Sequence, residues 1–291
     1  MTTQSKGLIR YRSRIAYDGS GFQGFQIQPD IRTIQGEIEQ ILTKRFQRHI
    51  RVIGAGRTDT GVHARGQAIH FDLREGEVLR MSRQLPQQQD EFSAFEYSMN
   101  RMLRHDLQLY SLQKAPLVNK MVKGVVGHHP WHAIYDANGK LYIYRISAAS
   151  AMDPLERHNR YDLSWKRGTD LELLHRMLKQ FEGTHDFRAF SAGIDVKERF
   201  ADGILDTRRT VYSIDMIDEG SGMYRIEFRI KGALYKMIRN MVGTALDVAW
   251  GKTSEEEFLM LLHSGARRQA NKSKPAPPEG LTLEQVYYDD Y

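Results

Sequence analysis

One stretch constrains this chain more than any other: Val52-Ile53-Gly54-Ala55-Gly56-Arg57-Thr58-Asp59-Thr60-Gly61-Val62-His63-Ala64-Arg65-Gly66-Gln67-Ala68-Ile69-His70-Phe71. Two apolar runs flank a segment holding glycines 54, 56, 61 and 66, Arg57, Arg65 and a single carboxylate, Asp59. Glycine lets a backbone turn tightly and lets another group approach closely, because no Cβ is in the way. A carboxylate set between two cations stays ionised, since nearby opposite charge favours the charged form. The loop therefore offers one anion on a basic ledge, as a catalytic carboxylate requires. A purely structural glycine-rich loop between two strands is the plainer reading. The dinucleotide pattern G-x-G-x-x-G is not met, because Asp59 stands where its third glycine would be. A phosphate-binding loop ending in Gly-Lys-Ser/Thr is absent too.

The surroundings are basic. From Glu39 to Asp59 there are Lys44, Arg45, Arg48, Arg51 and Arg57, with no acid between. Residues 1–118 hold 17 Lys and Arg against 12 Asp and Glu, a balance of +5, which leaves +1 of the total +6 for residues 119–291. An uneven positive field beside a candidate site attracts polyanions, as nucleic-acid binders do, although a solvated helix-to-strand corner reads the same way. With no cysteine, disulfides, thiolate nucleophiles and Cys-based zinc sites are excluded. His128, His129 and His132 lack the paired carboxylates of a metal site, so no metal is expected. No apolar run approaches a membrane span, and residues 1–7 lack the apolar core of a secretion signal, so a cytoplasmic protein is expected.

Alternation predicts strands over 12–17, 51–53, 67–72 and 107–112, with a helix after Thr33, its N-cap, and another over 95–103. That order, β-α-β-β-α-β, is a ferredoxin-like half. The stretch 75–96, rich in glutamine, reads as a surface excursion. A looser repeat follows: strands over 141–146, 211–217 and 224–230, and helices over 171–181 and 234–250. A linker is expected near 116–127, giving domains 1–118 and 119–291. The polar, proline-containing segment 264–279 offers Arg267, Arg268, Lys272 and Lys274 to phosphates.

Several motifs in order resemble one family over nearly the whole chain. They are Tyr17-Asp18-Gly19 with Gly21-Phe22-Gln23-Gly24-Phe25-Gln26, Thr33-Ile34-Gln35, the run from Gly56 to Phe71, and Lys140-Leu141-Tyr142-Ile143-Tyr144-Arg145. Gly183-Thr184-His185-Asp186-Phe187, Lys236-Met237-Ile238-Arg239-Asn240-Met241-Val242-Gly243 and Ala276-Pro277-Pro278-Glu279-Gly280-Leu281 complete the set. Together they resemble the TruA family, tRNA pseudouridine synthases that act on the anticodon stem-loop.

The resemblance implies an α+β pseudouridine synthase fold, two ferredoxin-like halves with their sheets joined around a central cleft. It implies isomerisation of uridine in tRNA with no cofactor, by a flipped-base mechanism and a homodimer. It makes Asp59 the catalytic carboxylate, Tyr142 the tyrosine that packs on the base, and Arg239 the partner of the aspartate. Arg57, Thr58, His63, Arg65 and Arg51 are the expected RNA contacts. A non-catalytic RNA-binding module of the same fold is the alternative. The chain departs from the family at Trp131-His132-Ala133-Ile134, where an arginine often follows Phe-His-Ala, and at Thr60, where alanine is commoner.

Overall fold

A computed structural model describes residues 7–78, 90–122, 125–194 and 206–289. The chain forms two compact units, Met1–Asn138 with Gln285–Tyr291, and Gly139–Glu284. The division thus falls at 138/139 rather than at 118/119, because the expected linker is a hairpin. Its strands are Leu117–Val122 (β5) and Val125–Pro130 (β6), paired antiparallel.

In the first unit, β1 (Leu8–Tyr17) leads to α1 (Ile34–Phe46), β2 (Ile53–Gly54), β3 (His63–Arg74), α2 (Glu91–Met102) and β4 (Leu107–Lys114). The strands lie in the order β4-β1-β3, with β2 on the far side of β3, all antiparallel. This is the ferredoxin-like arrangement. Thr33 caps α1 by accepting from the Gly36 amide, and Ile34, Ile38, Ile41 and Leu42 are buried. Each such burial contributes ~1.5–3 kcal/mol, enough to anchor a helix whose mean hydropathy is near neutral.

Two boundaries differ from the sequence expectation. β3 begins at His63, so half of the glycine-rich stretch is strand. α2 begins at Glu91, inside the stretch read as surface excursion, because the Asp90 side chain accepts from the Phe92 and Ser93 amides. The glutamine run itself, 84–89, lies outside the described residues.

The second unit repeats the pattern with additions. It holds β7 (Gly139–Ser147), β8 (Tyr161–Asp162), α3 (Leu171–Lys179), β9 (Gly183–Asp186), β10 (Arg208–Gly220), β11 (Met223–Ile230), α4 (Met237–Ala249), α5 (Glu255–His263) and the start of β12 (Leu281–Tyr287), whose residues from Gln285 on belong to the first unit. The order is β12-β7-β11-β10-β9, with β8 parallel to β7. Without β8 and β9 it is again last-first-third-second. Ile226, Phe228 and Ile230 of β11 face inward, as their alternation predicts. Helix α4 starts at Met237 rather than 234 and is buried on nearly every side, Arg239 and Asp247 being the less covered positions.

Candidate active site

Asp59 sits between β2 and β3. Arg57 is exposed, Thr58 buried and Asp59 half-buried, so side chains alternate outward and inward along an extended segment. Thr58 is fixed from below: its Oγ1 lies 2.9 Å from the Tyr17 hydroxyl. Burial pushes that phenol up to about 12, so it stays protonated.

The first turn cradles the loop. The Phe25 amide donates to the Thr58 carbonyl at 3.1 Å, and the Val62 amide closes a turn on the Asp59 carbonyl at 3.1 Å. Gly24, with φ of +87°, lies under the loop; a Cβ there would stand 2.9 Å from the Thr58 oxygen. A Cβ on Gly19 would meet the Val62 oxygen at 2.1 Å, and one on Gly54 the Phe25 ring at 2.3 Å. These glycines exist for close approach as much as for turning.

The entry to the loop is tied to α1. Buried Glu39 accepts from the Val52 amide at 2.9 Å, and Gln35 donates to the Val52 carbonyl at 3.2 Å. Buried Gln67 donates to the Gly56 carbonyl at 2.8 Å, one residue before Arg57. Gln67, Glu39 and Tyr17 escaped the sequence reading as positioning residues. Only their neighbourhood to glycine-rich turns signalled them.

The expected RNA contacts separate by exposure. Arg51, Arg57 and Arg65 are exposed, whereas Thr58 and His63 are buried, Thr58 engaged through Oγ1 and His63 through Nδ1. His63 Nδ1 accepts from the Gly19 amide at 3.1 Å and lies 3.2 Å from Asp18 Oδ1, so it holds the first turn. Arg48, counted among the basic residues, is bound by Glu77 at 2.7 Å. A depression of about 620 Å³ lies beside Arg51 and Arg57 and reaches His132, Ile134 and Tyr135. The His132 and Tyr135 rings stack at 4.3 Å, and Tyr135 is 78% exposed. Ile134, where the family often has arginine, is an exposed apolar residue on this wall.

In the second unit, Tyr142 stands on β7 opposite Phe228 and is buried. Tyr144, two residues on and on the same face, donates its hydroxyl to the Pro277 carbonyl at 2.8 Å. Burial pushes its phenol well above the usual value, which keeps the donor protonated. Arg239, in the first turn of α4, is clasped twice by the strap 268–280. Its Nε donates to the Ala276 carbonyl at 2.8 Å, and its own carbonyl accepts from the Ala276 amide at 2.8 Å. Gly243, one turn further on, allows this: a Cβ there would lie 2.0 Å from the Lys274 oxygen.

Arg268 differs from its expected role as a phosphate ligand. It donates to the Asn240 side chain and to the Asn271 and Ser273 carbonyls, pinning the strap. His185 and Asp186, in β9, bond locally to the Glu182 carbonyl and to Arg188 and Thr207.

A family model described as tRNA pseudouridine synthase matches residues 177–289, which include Arg239 and the strap. Beyond that segment, tRNA pseudouridine synthase A of Latilactobacillus sakei is 35% identical over 96% of this chain and 98% of its own length. The chain belongs to the tRNA pseudouridine synthase A family. Another member, from Listeria monocytogenes, is 33% identical over 97% of this chain and its full length. The tRNA pseudouridine synthase A 1 of Protochlamydia amoebophila is 34% identical over 96% of both chains. Membership makes the protein an isomerase with the α+β pseudouridine synthase fold. A solved Cbf5-Nop10-Gar1 complex aligns with 82% of this chain and 54% of that chain at 12% identity and a TM-score of 0.31, too loose a likeness to place residues.

Proposed function

We propose that this protein converts uridine to pseudouridine in the anticodon stem-loop of tRNA, with Asp59 as the catalytic carboxylate. The reaction breaks the bond from ribose C1′ to N1, turns the base, and forms a bond from C1′ to C5. The proton on C5 leaves and N1 gains one, so atoms and electrons balance without a co-reactant. A carboxylate at the ribose-base junction serves either as nucleophile or as base toward the ribose. The observation that carries the assignment is the geometry of the loop. Asp59 is half-buried, the preceding Thr58 is held by the Tyr17 hydroxyl and the Phe25 amide, and the Asp59 carbonyl accepts from the Val62 amide, so the backbone carrying the carboxylate is fixed.

Tyr142 packs on the base and assists removal of the C5 proton, and Arg239 supports the carboxylate. Family resemblance supports both roles, together with the double clasp that fixes Arg239. Exposed Arg51, Arg57 and Arg65 meet phosphates, and Thr58 and His63 act through the loop they hold. Arg57 lies two residues from Asp59 and faces outward with it, so its planar cation is placed to prop open the stack left by a flipped uridine. A cytoplasmic homodimer completes the proposal on family resemblance; light scattering at micromolar concentration that gives a monomer removes the dimer. The central test is tritium release from uracil-C5-labelled tRNA transcript with no cofactor added. No release by the folded wild-type protein defeats the assignment.

A further inference from the structure

A second depression, of about 400 Å³, lies in the unit Gly139–Glu284. Three aromatic side chains line it: Tyr161 of β8, Trp165, and Trp250 at the end of α4. Trp165 is 60% exposed, unusual for the largest apolar side chain. Its ring meets Trp250 edge-on at 5.2 Å, and Trp250 Nε1 donates to Thr169 Oγ1 at 2.9 Å. Trp250 is therefore fixed before any ligand arrives, and Trp165 rests against it.

Three lysines rim this platform, and each is placed by the backbone. At the end of α4, Gly251 (φ +69°) bonds back to the Val248 carbonyl, and the Lys252 amide bonds back to the Asp247 carbonyl. This helix-ending motif turns Lys252 over the Trp250 ring, with Nζ 4.5 Å from the centroid and 3.2 Å from Asp247. The strap supplies the others. Asn271 and Ser273 are buried, Asn271 donating to Thr244 Oγ1 and accepting from the Ser273 amide. Lys272 and Lys274, the alternate residues of an extended segment, therefore both point outward. Three lysines face one acid, Asp247, which Lys252 already engages.

Flat aromatic faces beside a row of cations match the chemistry of an unpaired nucleotide, a base on the rings and its phosphate on the ammonium groups. We propose that this depression seats one unpaired nucleotide of the RNA substrate, its base stacked on the exposed ring of Trp165 with Trp250 at its edge, and its phosphate at Lys272 and Lys274. The proposal rests on the RNA-modifying function argued above. It adds a contact beside the strap's hold on Arg239, since Ala276 lines the depression as well as clasping that arginine. The open rim and the spacing of the lysines along the strap favour a nucleotide carried by a chain over a free one.

The test uses the full-length protein and an unmodified tRNA transcript. Trp165→Ala weakens binding about tenfold, the loss expected when one base loses its aromatic partner. Trp165→Phe removes most of the tryptophan quenching that the transcript produces. Lys272→Gln with Lys274→Gln lowers the salt dependence of log affinity by roughly 0.7 for each single-strand phosphate released. Both lysines are exposed, so this pair tests the proposal even where Trp165→Ala folds poorly. Affinity within twofold of wild type for both variants, with quenching retained in Trp165→Phe, overturns the pocket. Quenching of Trp165 by uridine or adenosine 5′-monophosphate but not by the transcript also overturns it, in favour of a free nucleotide. Tritium release by wild type is read separately: its absence, with the binding pattern intact, leaves the pocket standing and removes the chemistry.

Discussion

Replacing Gly243 by alanine sets two physical effects against each other. Alanine in a helix interior is favoured over glycine by about 1 kcal/mol, so propensity alone raises stability. The strap opposes this. The new Cβ would lie 2.0 Å from the Lys274 oxygen, and contacts under 3.0 Å do not persist, so the strap must retreat by about 1 Å (3.0 less 2.0). The two Arg239–Ala276 bonds, each 2.8 Å, would then stretch to about 3.8 Å, beyond hydrogen-bonding range. One is a charged bond contributing ~1.5–3 kcal/mol, the other a neutral bond contributing ~0.5–1.5 kcal/mol. The balance is a net loss of about 1–3.5 kcal/mol, with the melting temperature falling by roughly 2–4 °C per kcal/mol. A guanidinium displaced by this much costs on the order of a hundredfold in rate where its position matters to the chemistry. Melting followed by circular dichroism and turnover followed by tritium release read the two consequences. A variant that melts higher than wild type and turns over as fast refutes the reasoning.

Asp59→Asn abolishes turnover while transcript affinity stays within a few-fold, because the carboxylate serves chemistry; residual turnover above background moves the role elsewhere. Tyr142→Phe loses most of the rate with its fold intact, and an unchanged rate reduces the residue to packing. Arg57→Ala slows a uridine paired in the stem much more than one already unpaired in the loop; equal slowing leaves only an electrostatic role. Ile134→Arg adds a cation to the wall beside Arg57 and steepens the log-log salt dependence of binding by roughly 0.7–0.9. An unchanged slope shows that no phosphate passes there. Buried His70 accepts from the Ala133 amide, and burial pushes its imidazole down to about 3. The unfolded chain binds more protons between pH 6.5 and 3, so stability falls as pH drops through that window. His70→Gln flattens this part of the curve, and a profile identical to wild type places the acid sensitivity in other groups.

Much of the fold was legible because local signals agreed. Thr33 before an apolar stripe marked α1, and alternation at Ile226, Phe228 and Ile230 marked β11. Asp59 stood out as the one carboxylate of its loop. Long-range contact was harder to read. Nothing in sequence distinguishes Gly61, a turn residue with φ of +78°, from Gly54, which makes room for a phenylalanine ring. Asp90 carried a cap signal, but glutamine-rich composition masked it. Thr58 and His63 read as polar loop residues available to RNA. Their burial depends on partners, Tyr17 and Gly19, that lie about forty residues away and arrive only with the folded turn.

The strap 268–280 separates two kinds of heritable change. Of its buried anchoring residues, Asn271 bonds Thr244 of α4 and Ser273 bonds Asn271, so substitution there registers as loss of fold. The exposed lysines that alternate with them, Lys272 and Lys274, are open to change at small thermodynamic risk. A lineage, or an engineer, can therefore rewrite which RNA surface this unit favours by altering alternate letters of one short word. Libraries randomised at Lys272 and Lys274 would sample new substrate preferences while the clasp on Arg239 stays in place.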